Sequence, residues 1–333
     1  MQRGDYIIRR LGWALLTIVF VVTLNFFLFR VLPGDPAKAG VRDPRLTRAA
    51  QDAITRRFGL DKPLLLNLQG GNPFDSQFFR YFGNLLRGDL GTSYNFNRPV
   101  ADLLRERLNN TLLLLLLGEL LAVVIGLSLG ALAAWRRGTI LDTTTLIFGL
   151  LTWALPTFWL GIMLLVLGSS YLGLPVGGMR TAGKQFATFW EQARDMGRHL
   201  LLPTFTIAIV LLGEFLLIMR SSMLEVLGED YILTAKAKGL TDGQVLRKHA
   251  LKNSMLPVIT IIALTIGFTV GGFIQVEAVF SWPGLGSAIF EAVSRRDYPM
   301  LQGTFLLIAV SVVLANLAAD LLYAYLDPRV RAT

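Results

Sequence analysis

The chain has 333 residues, of which 53% are hydrophobic and only 17% charged, and its mean hydropathy is +0.54. A soluble domain carries about 25% charged residues, so this composition suits lipid rather than water as the main solvent. The absence of cysteine and the presence of only two histidines, His199 and His249, exclude disulfides, thiolate chemistry and a histidine-rich metal centre, and the net charge is +9.

A helix needs about 20 apolar residues to cross a hydrocarbon core of about 30 Å. Six runs reach that length: Leu11–Phe29, Thr111–Ala134, Thr143–Leu174, Leu200–Met219, Val258–Phe280 and Leu301–Leu326. The expected fold is therefore an all-α integral membrane protein of six transmembrane helices in one domain, residues 1–333.

The first run follows a basic start like that of a signal peptide. It is longer than a signal's apolar core and no small-residue cleavage site follows, so it reads as an uncleaved span. Residues 33–108 then form an external segment. Within it "RLTRAAQDAITRRFGLDKP" reads as helical up to Gly59, and Phe78, Tyr81, Phe82, Leu85 and Leu86 fall on one face at spacings of three and four. That stripe is expected to pack on the bundle as a lid, with a contact for an external partner as the alternative. Gly126 and Gly130 in the second run, and Gly267 and Gly271 in the fifth, are four apart and allow close helix approach. The third run is too long for one straight span and contains Pro156, which predicts a kinked or tilted crossing.

"GMRTAGKQ", Gly178 to Gln185, approaches a phosphate-binding loop but lacks the hydroxyl residue after Lys184, and no strand is predicted before it. No nucleotide site is expected in this chain. Four acids, Glu119, Glu214, Glu277 and Asp320, and two amides, Asn25 and Asn316, lie in or beside spans. Charge at membrane depth faces a cavity or a partner. Glu277 reads as a span-end residue, either paired with a partner or close enough to the interface to stay wet. Glu119 and Glu214 read equally well as part of a polar pathway or proton relay and as a buried pair; Asn25 and Asn316 join them as pathway candidates.

Between the fourth and fifth runs lies "EDYILTAKAKGLTDGQVLRKHALKN". Glu229 and Asp230 suit a helix N-terminus, Gly239 a left-handed stop, and Thr241 with Gln244 a capping box opening a second helix. Asn253 and Pro257 mark the return to the membrane. From Glu225 to Lys252 there are five cations and four acids, a net +1, too little for a DNA-reading module. A short rigid helix with small residues points instead to docking on a partner. Cations concentrate in this segment, at both termini and at Arg136–Arg137, which predicts that these lie in the cytoplasm with both termini inside.

At these residues the chain resembles the membrane subunits of ABC importers of the dipeptide/oligopeptide/nickel permease family. The likeness rests on "RSSMLEVLGEDYILTAKAKGL" and "RKHALKNSMLPVIT", with "YIIRRLGW", "LPGDPA", "FGLDKPL", "GDLGTSY", "FSWPGLG", "RRDYP" and "DPR" elsewhere. The wider superfamily's E-A-A-x-x-x-G loop is incomplete: Gly239 and Ala235 hold their places, whereas Leu233 and Thr234 replace the glutamate and first alanine.

The resemblance implies the type I importer permease fold, in a prokaryotic plasma (inner) membrane. It implies that residues 225–255 form a cytoplasmic coupling loop, with Glu229, Asp230, Tyr231, Ala235, Lys236, Ala237, Gly239 and Leu240 at the contact. It further implies a second homologous permease, two ATP-binding subunits and an extracytoplasmic solute-binding protein. ATP and Mg would be held by the ATP-binding subunits, with no cofactor bound by this chain. Peptides are the leading cargo; oligosaccharides, glutathione-like molecules and nickel chelates are the alternatives. The rival class is a proton-driven secondary transporter.

Overall fold

The computed structural model describes residues 3–31, 47, 61–67, 72–269 and 273–326; these are mostly helical, with an isolated bridge between Thr92 and Pro99 and no strand. The expected helix ending at Gly59, Gly271 and the "DPR" terminus lie outside them. In chain order the helices are α1 (Arg3–Val31), α2 (Gln77–Leu86), α3 (Val100–Trp135), α4 (Ile140–Ala154), α5 (Thr157–Leu172) and α6 (Phe189–Leu227). There follow α7 (Asp230–Ala237), α8 (Asp242–Val245), a π-helical turn (Leu246–Ala250), α9 (Leu251–Thr269), α10 (Ile274–Val279), α11 (Leu285–Ser294) and α12 (Tyr298–Leu326).

Among the described residues, α1, α3, α6 and α12 are long and apolar enough to cross a membrane, and α4 with α5 makes a fifth if the bent pair is one crossing. The chain is thus an all-helical membrane protein. Two expected runs break differently from the reading above. Thr143–Leu174 is not a tilted span but two helices meeting at 101°. Pro156 brings no N–H to continue α4, and it pushes Leu155 to φ −70°, ψ 130°, outside the helical region. Val258–Phe280 is also not one helix: α9 ends at Thr269, and Ile274–Val279 forms the separate short α10. At the other end α9 continues the π turn without a break, and Pro257 lies inside it, so the chain does not turn at Asn253.

Helix α6 runs through the centre. A Cβ placed on Gly130 of α3 would lie 2.5 Å from the Leu216 carbonyl oxygen, and one on Gly126 2.9 Å from that of Leu212. The two backbones are therefore in contact, as small residues permit in lipid. Both helices are longer than the apolar layer requires: 36 residues in α3 rise about 54 Å. Leu115, Ile207, Phe215, Leu216, Phe280 and Trp282 fill the core where α3, α6 and α10 meet.

The Phe78–Tyr81 part of the stripe packs on the bundle, with ring centroids 5.2 and 5.5 Å from that of Phe26 on α1, whereas Leu86 is exposed. Before it, Lys62 donates to Asp75, joined by Arg80 at 3.0 Å, and the Lys62 bond holds the Asp75 carboxyl below its ordinary range. Asp297 accepts from the Ser93 hydroxyl and from the backbone N–H groups of Tyr94, Asn95 and Met300, joining "GDLGTSY" to "RRDYP". Trp282 Nε1 donates to the Asn110 carbonyl at 3.0 Å, and Asn110 Nδ2 donates to that of Pro283 at 2.9 Å, which fastens "FSWPGLG" to α3.

Candidate functional site

The loop between the fourth and fifth apolar runs is built as a shelf at one end of the bundle. Helix α6 stops at Gly228. Glu229 turns the chain with extended angles, and Asp230 stands in the first turn of α7. Ile232 and Ala235, three apart and so on one side, are buried in a cluster with Ala134, Met219, Met223, Val245, Ala250 and Val258. The opposite side is exposed: Leu233 at 70%, with Thr234, Ala237 and Lys238. Tyr231 is held beside them by a 3.0 Å hydrogen bond from Asn253 Nδ2 to its hydroxyl.

Two features fix the far end. Gly239 has φ +80°, which an L side chain rarely adopts, and its N–H bonds the Lys236 carbonyl at 2.9 Å. Thr241 and Gln244 then form the reciprocal capping box, at 3.4 and 3.0 Å. Leu240 donates back to the Ala235 carbonyl, and Lys236 faces Asp242 at 3.8 Å. A cleft of about 410 Å³ opens between this shelf and the end of α3, lined by Trp135, Arg137, Leu227, Ile232, Lys236 and Asp242.

The eight expected loop residues all lie on this shelf, some facing the bundle and some exposed. Ala235 faces its own bundle, where its small side chain lets α7 lie close. Tyr231, Lys236 and Ala237 are exposed. Leu233 was not among the expected contacts. An apolar residue displaced by one from the pair 232/235, and so off their face, is the signal that would have found it.

The four pathway candidates do not converge. Asn25 is buried and spends its amide on the Gln302 carbonyl at 3.1 Å and the Tyr81 hydroxyl at 3.4 Å, tying α1 to α12 and α2. Glu119 is 3% exposed, and neither carboxyl oxygen has a hydrogen-bond partner. Glu214 is half-buried on α6. Since Gly118 meets Ile207 and Gly126 meets Leu212, α3 and α6 run parallel, and Glu214 stands about two turns below Glu119. Asn316 is exposed on α12.

The other acids have partners. Glu277 is fully buried; its Oε1 accepts from the Thr111 hydroxyl at 2.7 Å and its Oε2 from the Ser287 N–H at 3.0 Å. Asp320 pairs with Arg10 at 2.9 Å. The Gly178–Gln185 segment is a turn whose Thr181 gives both its N–H and its hydroxyl to Asp195. Among the described residues no group of three or more His, Cys, Asp or Glu could hold a metal ion.

Comparison with known proteins covers nearly the whole chain. Residues 126–332 match the family described as binding-protein-dependent transport system inner membrane component, and residues 3–115 match its N-terminal counterpart. The oligopeptide transport system permease protein AppB of Bacillus subtilis is 38% identical over 330 residues, 98% of each chain. The dipeptide transport system permease protein DppB of Escherichia coli K12 is 38% identical over 347 residues, again 98% of each. The di/tripeptide transport system permease protein DppB of Pseudomonas aeruginosa is 36% identical over 341 residues, 98% of each.

Proposed function

Because the chain belongs to the binding-protein-dependent transport system inner membrane component family, and so is the permease subunit of an ABC importer rather than a catalytic subunit, we propose that it carries peptides and that α7 is its coupling helix. The exposed face of α7, with Leu233 on a helix anchored from behind by Ile232 and Ala235, is the observation that carries the second part. An apolar residue held out on a rigid shelf suits a groove on an ATP-binding subunit. Glu229, Asp230 and Gly239 set the direction of the helix, and Tyr231, Lys236, Ala237 and Leu240 flank Leu233. The peptide cargo is supported by the names of the three relatives, with oligosaccharide, glutathione-like or nickel-chelate cargo as the remaining reading.

An importer permease of this family works with ATP-binding subunits and a solute-binding protein. In our reading a second, similar permease completes the pathway, two ATP-binding subunits hold ATP and Mg, and both termini lie in the cytoplasm with α7. Binding of ATP draws the two ATP-binding subunits together, the docked helices follow as rigid bodies, and the spans open outward to receive cargo. Hydrolysis resets them. Glu214 and Asn316, polar and only partly covered, are the groups this chain would turn toward the pathway or the second permease.

The test is Leu233→Asp. Copurification in mild detergent from the native membrane is expected to bring ATP-binding subunits with the parent chain and to lose them with the variant, while the variant stays in the membrane. Full recovery with Leu233→Asp would remove the docking assignment.

A further inference from the structure

Arg220 lies on α6 about two turns before the helix ends at Leu227. Its Nε donates to Asp142 Oδ1 at 2.7 Å and its Nη2 to Oδ2 at 3.0 Å. Asp142 stands in the first turn of α4, buried, and its Oδ2 also accepts the Gly138 N–H at 3.0 Å. One carboxylate thus joins the α3–α4 turn, the start of α4 and the α7 end of α6. A two-pronged pair of this kind fixes orientation as well as distance. Further along, Gly149 of α4 and Gly213 of α6 meet with no room for a Cβ on Gly213.

Past the 101° break the attachments change. Helix α5 packs through Gly168 on Leu202, toward the other end of α6, and through Gly161 on Val279, the last residue of α10, and on Phe280 just after it. The bent pair α4–α5 is therefore half fastened to the α7 end of α6 and half to the opposite end. Pro156, with no N–H to bridge the halves, lets them turn separately.

We infer that the Asp142–Arg220 pair is a latch that passes movement of α7 and the end of α6 to α4, with the Leu155–Pro156 break absorbing the difference between the two ends. Both residues are positioning residues, acting through helix orientation rather than on cargo. The inference rests on the reading of α7 as the coupling helix. The close backbone contact at Gly149 and Gly213 sets the distance between α4 and α6; the forked pair also fixes their orientation, and a lysine, offering a point charge, cannot reproduce it.

The experiment uses the whole importer in proteoliposomes, measuring ATP hydrolysis and uptake of a labelled dipeptide in the same preparation. Asp142→Asn and Arg220→Lys are expected to retain the ATP-binding subunits and hydrolyse ATP, yet to move at least about tenfold less peptide per ATP, within the range of couplings between distant sites. The exchange Asp142→Arg with Arg220→Asp is expected to recover part of that ratio. An unchanged ratio in the single variants would overturn the latch. So would loss of assembly in every variant, exchange included, which would make the pair a fold element only. A parent complex that copurifies no ATP-binding subunit would instead take down the coupling-helix reading, and the latch with it.

Discussion

Gly239 and Ala235 stand four residues apart in the same loop and fail in different ways when enlarged. Gly239 holds φ at +80°, and proline is locked near −65°. Gly239→Pro would therefore redirect α7 without touching the buried cluster. The expected outcome is loss of ATP-driven uptake with normal membrane insertion and only a small fall in melting temperature, from the Gly239 N–H bond that proline cannot make. Ala235→Trp would instead force a large ring among Met219, Met223 and Val258. Overpacking of this kind costs about 1–3 kcal/mol, so its melting temperature should fall, which a thermal-shift assay on the detergent-solubilised chain would show. The left-handed glycine and the capping box were legible in the sequence because each is a local rule written in adjacent residues. Which way Ala235 points was not, because the facing depends on Ala134, Val245 and Val258, three residues from other parts of the chain. Leu233 was overlooked for the same reason: its exposure is defined only once the buried side of α7 is known.

At the level of elements, apolar length marked the long helices α1, α3, α6 and α12 well, since a membrane imposes one length on every crossing. It could not show the right-angle break at Leu155–Pro156, because a kinked span and two separate helices have the same composition. Nor could it separate α10 from α9. What makes α10 an element of its own is Glu277, whose two oxygens bind Thr111 on α3 and Ser287 on α11, with Gly284 leaving no room for a side chain over the carboxyl. Of the two readings left open for Glu277, paired or wet at the interface, the structure has the paired one; its partners come from 166 residues earlier in the chain and ten later, which no short motif records. Glu277→Ala would strip the acceptor from two buried donors, each at about 1–3 kcal/mol. The expected result is earlier proteolysis between α10 and α11 and a lower melting temperature, with Glu277→Gln intermediate because it keeps one acceptor oxygen. A melting curve unmoved by Glu277→Ala would mean the loop is held by Trp282 and Asn110 alone.

For the whole molecule the question is what drives it. A proton-coupled carrier needs titratable or polar groups linked across the membrane. Among the described residues the candidates are scattered: Asn25 is committed to Gln302 and Tyr81, Glu119 has no hydrogen-bond partner, and Glu214 lies about two turns from it along the parallel seam. Asp320 is taken by Arg10. Meanwhile the shelf carrying α7 is built with a left-handed glycine, a capping box and the Asp142–Arg220 pair behind it, none of which a lone carrier would need. Energy is therefore expected to enter at that end and from another subunit. In proteoliposomes holding the whole importer, peptide uptake should require ATP on the α7 side and persist when an uncoupler collapses any proton gradient. A proton gradient imposed without ATP should move no peptide, and Glu119→Gln should leave the ATP-driven rate within about threefold, since a relay carboxyl would cost far more than that. Uptake driven by the gradient alone, abolished by Glu119→Gln, would reverse the assignment and make the α3–α6 seam the working part of the protein.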